Sequence, residues 1–275
     1  RFTYIVLTIL ALFLTVLLMG YLVLQNKDMQ SKVVCWVSES LSKQVGSEVA
    51  IDELTWTFPN SFVLNDVYIE DLQGDTMLFM ERTKVTINLI QLLSSKVSFR
   101  TIQFTGLEAN LSMDSSGITN YQFFIDAFRT QKDDSLSIKW RMDIESMAFD
   151  NCNISFQNPY KVKKVGDFNP YDISVSEING CIFVRAFEKD SIYILLEDLS
   201  MKEKSNFAIE NISATVSGNN DYLGIEKLLF KTENSNVNIA NMLLYHNNYQ
   251  SFKNPIEQLR TEIEILPSAI NLSDF

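Results

Sequence analysis

Histidine is almost absent from this chain, since His246 is the one histidine among its 275 residues. One imidazole cannot build a multi-histidine metal site, and a Ser-His-Asp triad would have to use this residue. His246 stands beside Asn247 and Asn248 in a polar stretch that is typical of a turn. The sequence therefore predicts a surface histidine and no histidine-based catalysis.

The short motifs that carry common chemistry are also missing. The sequence contains no Walker loop, Gly-rich dinucleotide loop, Cys-x-x-Cys pair or Gly-x-Ser-x-Gly elbow. The tightest acidic pair, Asp133-Asp134, lies in a polar stretch where solvated carboxylates are expected. Two distant carboxylates could still meet in the folded chain. The balance favours a protein that is not an enzyme and that holds no metal or cofactor.

Cysteine and basic residues are scarce as well. The three cysteines, Cys35, Cys152 and Cys181, have neither the number nor the spacing of a disulfide framework or a zinc site, although a Cys152–Cys181 bridge stays possible. The 23 basic residues are outnumbered by 34 acidic ones, which gives a net charge of −11. This balance argues against nucleic acid as a partner and against a body lying flat on anionic lipid.

A long uncharged run, Tyr4 to Leu24, stands near the start of the chain. At ~1.5 Å per residue it spans roughly 30 Å, the thickness of a bilayer's hydrocarbon core. A cleaved signal peptide is the alternative, but its apolar core is shorter and a small-residue cleavage site follows it. The sequence favours an uncleaved transmembrane anchor in residues 1–27. Basic residues upstream of Arg1 would place the N-terminus in the cytoplasm and the body outside it.

An amphipathic helix is predicted for residues 28–46. Its apolar residues recur at spacings of three and four, and Gly46 is suited to end it. The stripe consists of Met29, Val33, Trp36, Val37, Leu41 and Val45. We expect it to pack on the following sheet, the alternative being a helix that lies at the membrane interface.

From Glu48 the apolar period changes to two, which predicts strands. Residues 47–129 form a first β module with a short helix, Tyr121 to Phe128, and residues 130–275 form a repeating β region. Because no helical pattern is long enough for a crossover, we expect an elongated antiparallel meander. The pattern breaks off near Phe275, so we expect the native chain to continue. The strands predicted in the repeating region are Ile138–Ile144, Cys152–Phe156, Ile173–Ile178, Cys181–Phe187, Ile192–Met201, Phe207–Val216, Ile225–Thr232 and Val237–Leu244.

The order of these parts resembles a known family. The matching stretches are the apolar run, SESLSKQVGSEVAIDELTW at 38–56, and the segment 62–128 with VYIEDLQGDTML, VTINLIQLL and LSMDSSGITN. They resemble the N-terminal part of the AsmA-like superfamily, and within it the TamB (translocation and assembly module) proteins. The usage of Asn, Lys and Ile is similar to a Bacteroidetes-type version.

The resemblance implies a single-pass inner-membrane protein whose body lies in the periplasm as a curved, groove-like β-sheet. It implies a bridge to the outer membrane, where an Omp85-type (TamA-like) barrel or an associated lipoprotein is the partner, and phospholipid as the cargo. The alternative is a scaffold or assembly factor that moves no lipid, and on periodicity alone the apolar faces would form a β-sandwich. The expected groove-lining residues are Ile138, Trp140, Met142, Ile144, Val237 and Ile239.

Overall fold

The computed structural model describes residues 26–57, 59–88, 98–128, 143–161, 169, 171–188, 191–246 and 259–274. The predicted anchor between Tyr4 and Leu24 lies outside these residues, as do Asp133-Asp134, Ile138, Trp140 and Met142. Among the described residues, no helix is both long enough and apolar enough to cross a bilayer.

The first helix, α1 (Lys27–Val45), has well-defined ends. The Asn26 side chain caps it by accepting hydrogen bonds from the backbone N–H groups of Asp28 and Met29. At the other end Gly46 adopts a left-handed conformation with φ 74°, and its N–H donates to the Ser42 carbonyl. Glycine is favoured at this position because it has no Cβ to clash. The helix therefore ends at the predicted residue.

The remainder of the described chain is mainly β, in one eleven-stranded sheet whose spatial order follows the chain order. A second helix, α2 (Gln122–Phe128), lies between β4 and β5, and a 3₁₀ turn (Leu272–Asp274) follows β11. The strands are β1 (Val49–Thr57), β2 (Ser61–Glu70), β3 (Thr76–Ile87), β4 (Ser98–Ser112), β5 (Asp143–Gln157), β6 (Asp172–Glu188), β7 (Ser191–Glu203), β8 (Ala208–Gly218), β9 (Tyr222–Lys231), β10 (Asn236–Tyr245) and β11 (Arg260–Ile265).

The prediction of a wholly antiparallel sheet is wrong at one pair. Strands β4 and β5 run parallel, with a constant offset from Ser98↔Asp143 to Ser112↔Gln157, whereas the other neighbours are antiparallel. A parallel pair needs a crossover of about a dozen residues or more, and residues 113–142 supply one. A crossover connection requires enough residues but does not require a long helix. The absence of a long helical pattern therefore did not exclude a parallel pair of strands.

Two segments that the sequence pattern predicts as separate strands belong to one strand in the structure. The predicted segments Ile173–Ile178 and Cys181–Phe187 form the single strand β6, with a left-handed residue, Glu177, inside it. A residue with positive φ reverses which face the following side chains point to, but it does not end the strand. The apolar alternation in the sequence is therefore broken, while the hydrogen-bonded ladder continues on either side.

The main core lies between the two helices and one face of the first strands. Buried side chains of α1, Val34 and Val45, pack with Val49 and Ile51 of β1, and Phe124 of α2 joins the same cluster. The predicted apolar stripe of α1 is only partly correct: Val37, Leu41 and Val45 face the core, but Met29 is 40% and Trp36 is 66% exposed.

The sheet is a single layer. In the parts of the chain that the structure describes, each strand contacts extensively only the strands beside it in the sheet. The helix α1 packs on β1 with a smaller contact. In a sandwich, strands of one layer pack on strands of another. The sandwich alternative is therefore not the fold of these residues.

Candidate functional site: the apolar face of the sheet

Strand register shows which side chains share a face. Leu196 of β7 lies opposite Ala214 of β8, and Val216 opposite Ile225 of β9, which in turn lies opposite Met242 of β10. Residues directly opposite each other point to the same side of a sheet. Following such pairs across the sheet therefore traces a continuous face from β1 to β11.

Alternation along most of the long strands reverses once near the middle. In β5, Met147 and Phe149 share the helix-covered face, yet Cys152 and Ile154 lie on that face too, with the left-handed Asn151 (φ 51°) between them. Residues at the same level of other strands also have positive φ. We call this transverse line the crease, and its members are Asp66, Gly106, Asn151, Glu177, Gly180, Asp198 and Lys227.

The crease interrupts ladder hydrogen bonds, and side chains of the neighbouring strands replace several of them. The backbone N–H of Asn151 donates to Asn179 Oδ1 over 2.9 Å. That of Glu177 donates to Asn153 Oδ1 over 3.2 Å, and that of Asp198 to Ser213 Oγ over 3.0 Å. Backbone donors left without a partner inside a sheet would be costly. The Asn and Ser residues on the polar face therefore allow the same kink in successive strands.

Side-chain exposure at the crease agrees with a sheet that bends toward its apolar face. The crease side chains Asp66, Asn151 and Asp198 are exposed on the polar side. On the apolar side, Leu199 and Ala214 flank the crease and are only 8% and 4% exposed, although the described helices lie at the other end of the sheet. Bulges increase the local bend of a strand. From their alignment across the sheet we infer a trough with the apolar face inside.

Beyond the helices this apolar face is uncovered by any described element. We call its β7–β10 part the open face. Its one charged position is Glu203, at the end of β7 opposite Val175. Its apolar positions are Ile192, Ile194, Leu196, Leu199 and Met201 in β7, Ile209, Ile212, Ala214 and Val216 in β8, Leu223, Ile225, Leu228 and Phe230 in β9, and Val237, Ile239, Met242 and Leu244 in β10. Most of these side chains are half-buried. A largely apolar trough of this kind can shield an apolar chain from water.

The predicted lining residues have different outcomes. Val237 and Ile239 lie on the open face, opposite Phe230 and Leu228. Ile144 lies opposite Phe99 of β4, which in turn lies opposite Ile87 of β3, and the β3–β4 register shifts between Thr86 and Ile87. The lining role of Ile144 stays a prediction. The residues Ile138, Trp140 and Met142 lie outside the described chain, and their lining role stays a prediction.

The sequence predicted a surface histidine, but His246 is buried, with 6% exposure. It directly follows Tyr245, the last residue of β10, and its backbone N–H donates to the Asp221 carbonyl over 2.9 Å. The three cysteines are free thiols. Burial, with the nearby carboxylates Glu197 and Asp198, raises the pKa of the Cys181 thiol. Within the described residues, no group of three or more His, Cys, Asp or Glu side chains could hold a metal ion.

Sequence reasoning missed the crease. Its signal is a polar residue at a mid-strand position where the apolar phase slips, as at Asn151, Glu177 and Asp198. Asn and Asp tolerate the left-handed region better than most residues. A slip at one strand is ambiguous, but slips at the same level of consecutive strands predict a bent sheet.

A comparison with protein families agrees with this architecture. The profile of the AsmA family matches residues 1–263, and that family is associated with outer-membrane assembly and lipid transport. None of the curated proteins matches the chain significantly. With the match extending over nearly the whole sequence, the chain belongs to the AsmA family.

Proposed function

We propose that this protein is anchored in the inner membrane and conducts phospholipid across the periplasm along its apolar trough, in support of outer-membrane biogenesis. The observation that carries the proposal is the open face: an apolar surface over four consecutive strands whose one charged residue, Glu203, stands at the end of β7, on the inner side of a bent single-layer sheet. Membership of the AsmA family supports the same conclusion. The role requires no catalytic side chain.

The size and chemistry of the open face suit an acyl chain. Three strand spacings of about 4.8 Å make β7–β10 about 14 Å wide between its outer strands. That distance is similar to an extended chain of a dozen carbons. Each methylene removed from water contributes about 0.8 kcal/mol. An acyl chain in the trough is therefore favoured over the same chain in water without any specific polar contact. A conduit for acyl chains of varied length requires this lack of specificity.

The arrangement also suits a TamB-type bridge. The strands follow one another in spatial order, so ten spacings of about 4.8 Å extend the sheet by roughly 48 Å across its strands. We propose that the partner at the far membrane is an Omp85-type barrel or an associated lipoprotein. Pull-down of the full-length native protein with outer-membrane extracts, read by mass spectrometry, tests this part separately from lipid binding.

The test of conduction uses two neighbouring leucines. Leu228 lies on the open face opposite Ile239, whereas Leu229 lies on the polar face opposite Ser213 and Asn238. A photo-crosslinking residue is placed at either position of the full-length protein in living cells. We expect phospholipid adducts at Leu228 and few at Leu229. Because the residue type and strand are the same, a difference reports the face alone.

A scaffold that moves no lipid is the second candidate. The length of the sheet favours it as a spacer between membranes, whatever the trough contains. Equal adduct formation at Leu228 and Leu229, or none at Leu228 in a protein that complements a deletion, would reject conduction and leave the scaffold.

A further inference from the structure

The side of α1 that faces away from the core has an unusual composition. Trp36 is 66% exposed and Met29, two turns earlier, is 40% exposed. At 3.6 residues per turn, Met29, Lys32 and Lys43 lie within about 40° of Trp36 around the helix. Both lysines are exposed. We call these four residues the outer stripe.

Packing against the sheet does not account for the outer stripe. The buried residues Val34 and Val45, with Leu41, lie on the opposite side of α1 and satisfy the core. A large exposed indole costs hydration free energy in water, and tryptophan is enriched where a membrane meets water. Lysines beside it can extend their ammonium groups to lipid phosphates while their stems lie on apolar surface.

We propose that the outer stripe of α1 lies in the headgroup region of the bilayer. The inference rests on the proposed inner-membrane anchor. The apolar run ends at Leu24, and the N-cap of α1 is Asn26, so the helix begins next to the bilayer surface if the anchor spans it. Trp36 is ten residues further, or about 15 Å along the helix axis. A helix lying on the surface brings Trp36 to the headgroups, whereas an upright helix holds it away from them.

The charges near the stripe agree with an anionic surface. Around the helix, Lys43 lies about 20° and Lys32 about 40° from Trp36, and the acidic Glu39 and Asp28 follow on the same side at about 60° and 80°. Glu39 stands 4.0 Å from Lys43 and accepts a hydrogen bond from the Cys35 thiol. Anionic lipids attract juxtamembrane lysines. The helix therefore presents cationic groups and an indole to the lipid and turns its carboxylates toward its flank.

The consequence is a fixed placement of the sheet. The helix packs on β1 and covers the apolar face of the first strands. If α1 lies on the bilayer, the β1 edge of the sheet is held near the membrane and the open face starts a few strands above it. The trough then runs away from the membrane surface.

The experiment uses the full chain, including residues 1–25, in vesicles of phosphatidylethanolamine and phosphatidylglycerol. An environment-sensitive fluorescent amino acid replaces either Trp36 or the neighbouring Cys35, which is exposed on the flank. Lipids with a spin label near the headgroup quench a fluorophore that lies among them. We expect quenching about threefold stronger at position 36 than at position 35, because an interfacial helix buries its apolar side about 5–10 Å into the headgroup boundary.

A second variant, Lys32→Glu with Lys43→Glu, checks the electrostatic part and should reduce the quenching at position 36. Equal quenching at positions 36 and 35 in a chain that resists carbonate extraction would overturn the inference and leave the anchor in place. Quenching unchanged by the charge reversal would overturn the lysine contribution. Release of the chain by carbonate would overturn the anchoring part of the proposed function, and the inference with it. Thermal unfolding followed by circular dichroism confirms that each variant folds.

Discussion

Asn151 and Asn179 are joined across β5 and β6 by a backbone-to-side-chain hydrogen bond of 2.9 Å. The Asn179 amide also donates to the Glu177 carbonyl over 2.8 Å. One side chain thus binds two backbone groups that the crease removes from the regular ladder. The same arrangement recurs where Asn153 accepts from Glu177 and Ser213 accepts from Asp198, so the trough is shaped by polar residues on the outside of the sheet.

The first prediction concerns this bond. Asn179→Ala removes both hydrogen bonds at an exposed site, and we expect a loss of about 0.5–1.5 kcal/mol in the free energy of unfolding. Urea denaturation followed by fluorescence measures it. The control is Asn65→Ala, because the Asn65 amide donates to the exposed Glu53 carboxylate and not to a crease backbone group. An equal loss in both variants would contradict a special role of Asn179.

The second prediction concerns Gly180, which has φ 124°. A Cβ there would lie 2.7 Å from the Asp198 carbonyl oxygen and 2.7 Å from the Leu199 Cα, both of them backbone atoms that cannot move aside. Gly117 also has a positive φ, but nothing lies within 4 Å of its Cβ position. Gly117→Ala should cost about 1 kcal/mol from backbone strain, and Gly180→Ala about 1–3 kcal/mol more from the clash. Thermal denaturation of both variants decides the order, and similar melting temperatures would show that β7 is not closely packed on Gly180.

The third prediction concerns transport and depends on the proposed function. Ile239→Arg places a charge on the open face, and an unpaired charge in a dry apolar site costs several kcal/mol. We expect lipid passage to fall strongly while the protein remains abundant, since Ile239 is only half-buried. Leu229→Arg, on the polar face of the adjacent strand, is the matched control. Transfer of fluorescent phospholipid between membranes is the measurement, and equal loss in the two variants would argue against a lipid path over Ile239.

The fourth prediction is a dependence on pH. Hydrogen bonds from Ser235, Thr232 and Asn234 lower the pKa of the Asp274 carboxyl from its ordinary value of 3.8. Because the pKa is lower in the folded chain, this contact stabilises the fold above the unfolded pKa and its contribution is lost as pH falls through the folded pKa. The Asn271 N–H, which donates to Ser235 Oγ over 2.9 Å, should be protected from hydrogen exchange at pH 6.

Asp274→Asn is the test of that prediction. The variant should show faster exchange at Asn271 at neutral pH, and the difference from the native protein should shrink as pH falls through the lowered pKa of the folded Asp274 carboxyl, where the native carboxylate is itself protonated. A difference that persists unchanged at low pH would show that the charge of Asp274 is not what holds the 3₁₀ turn to β9 and β10. Amide exchange followed by mass spectrometry measures both curves.

The sequence by itself determined the mainly β character, the end of α1 at Gly46, and the apolar alternation within each half-strand. These are local properties: glycine is suited to a left-handed position, and a period of two belongs to an extended chain with one face in water. The placement of Val237 and Ile239 on one face followed from the same alternation.

Only the tertiary structure decided how the half-strands are joined. A positive φ at Asn151 or Asp198 has a small conformational cost, but local sequence does not favour it strongly enough to predict it. It is stabilised because Asn179 or Ser213 on the next strand accepts a hydrogen bond from the N–H that the regular ladder leaves without a partner. The parallel β4–β5 step and the exposure of Trp36 likewise depend on partners distant in the chain. Alternation specifies a face for a few residues, but agreement between neighbouring strands decides whether those faces combine into a trough.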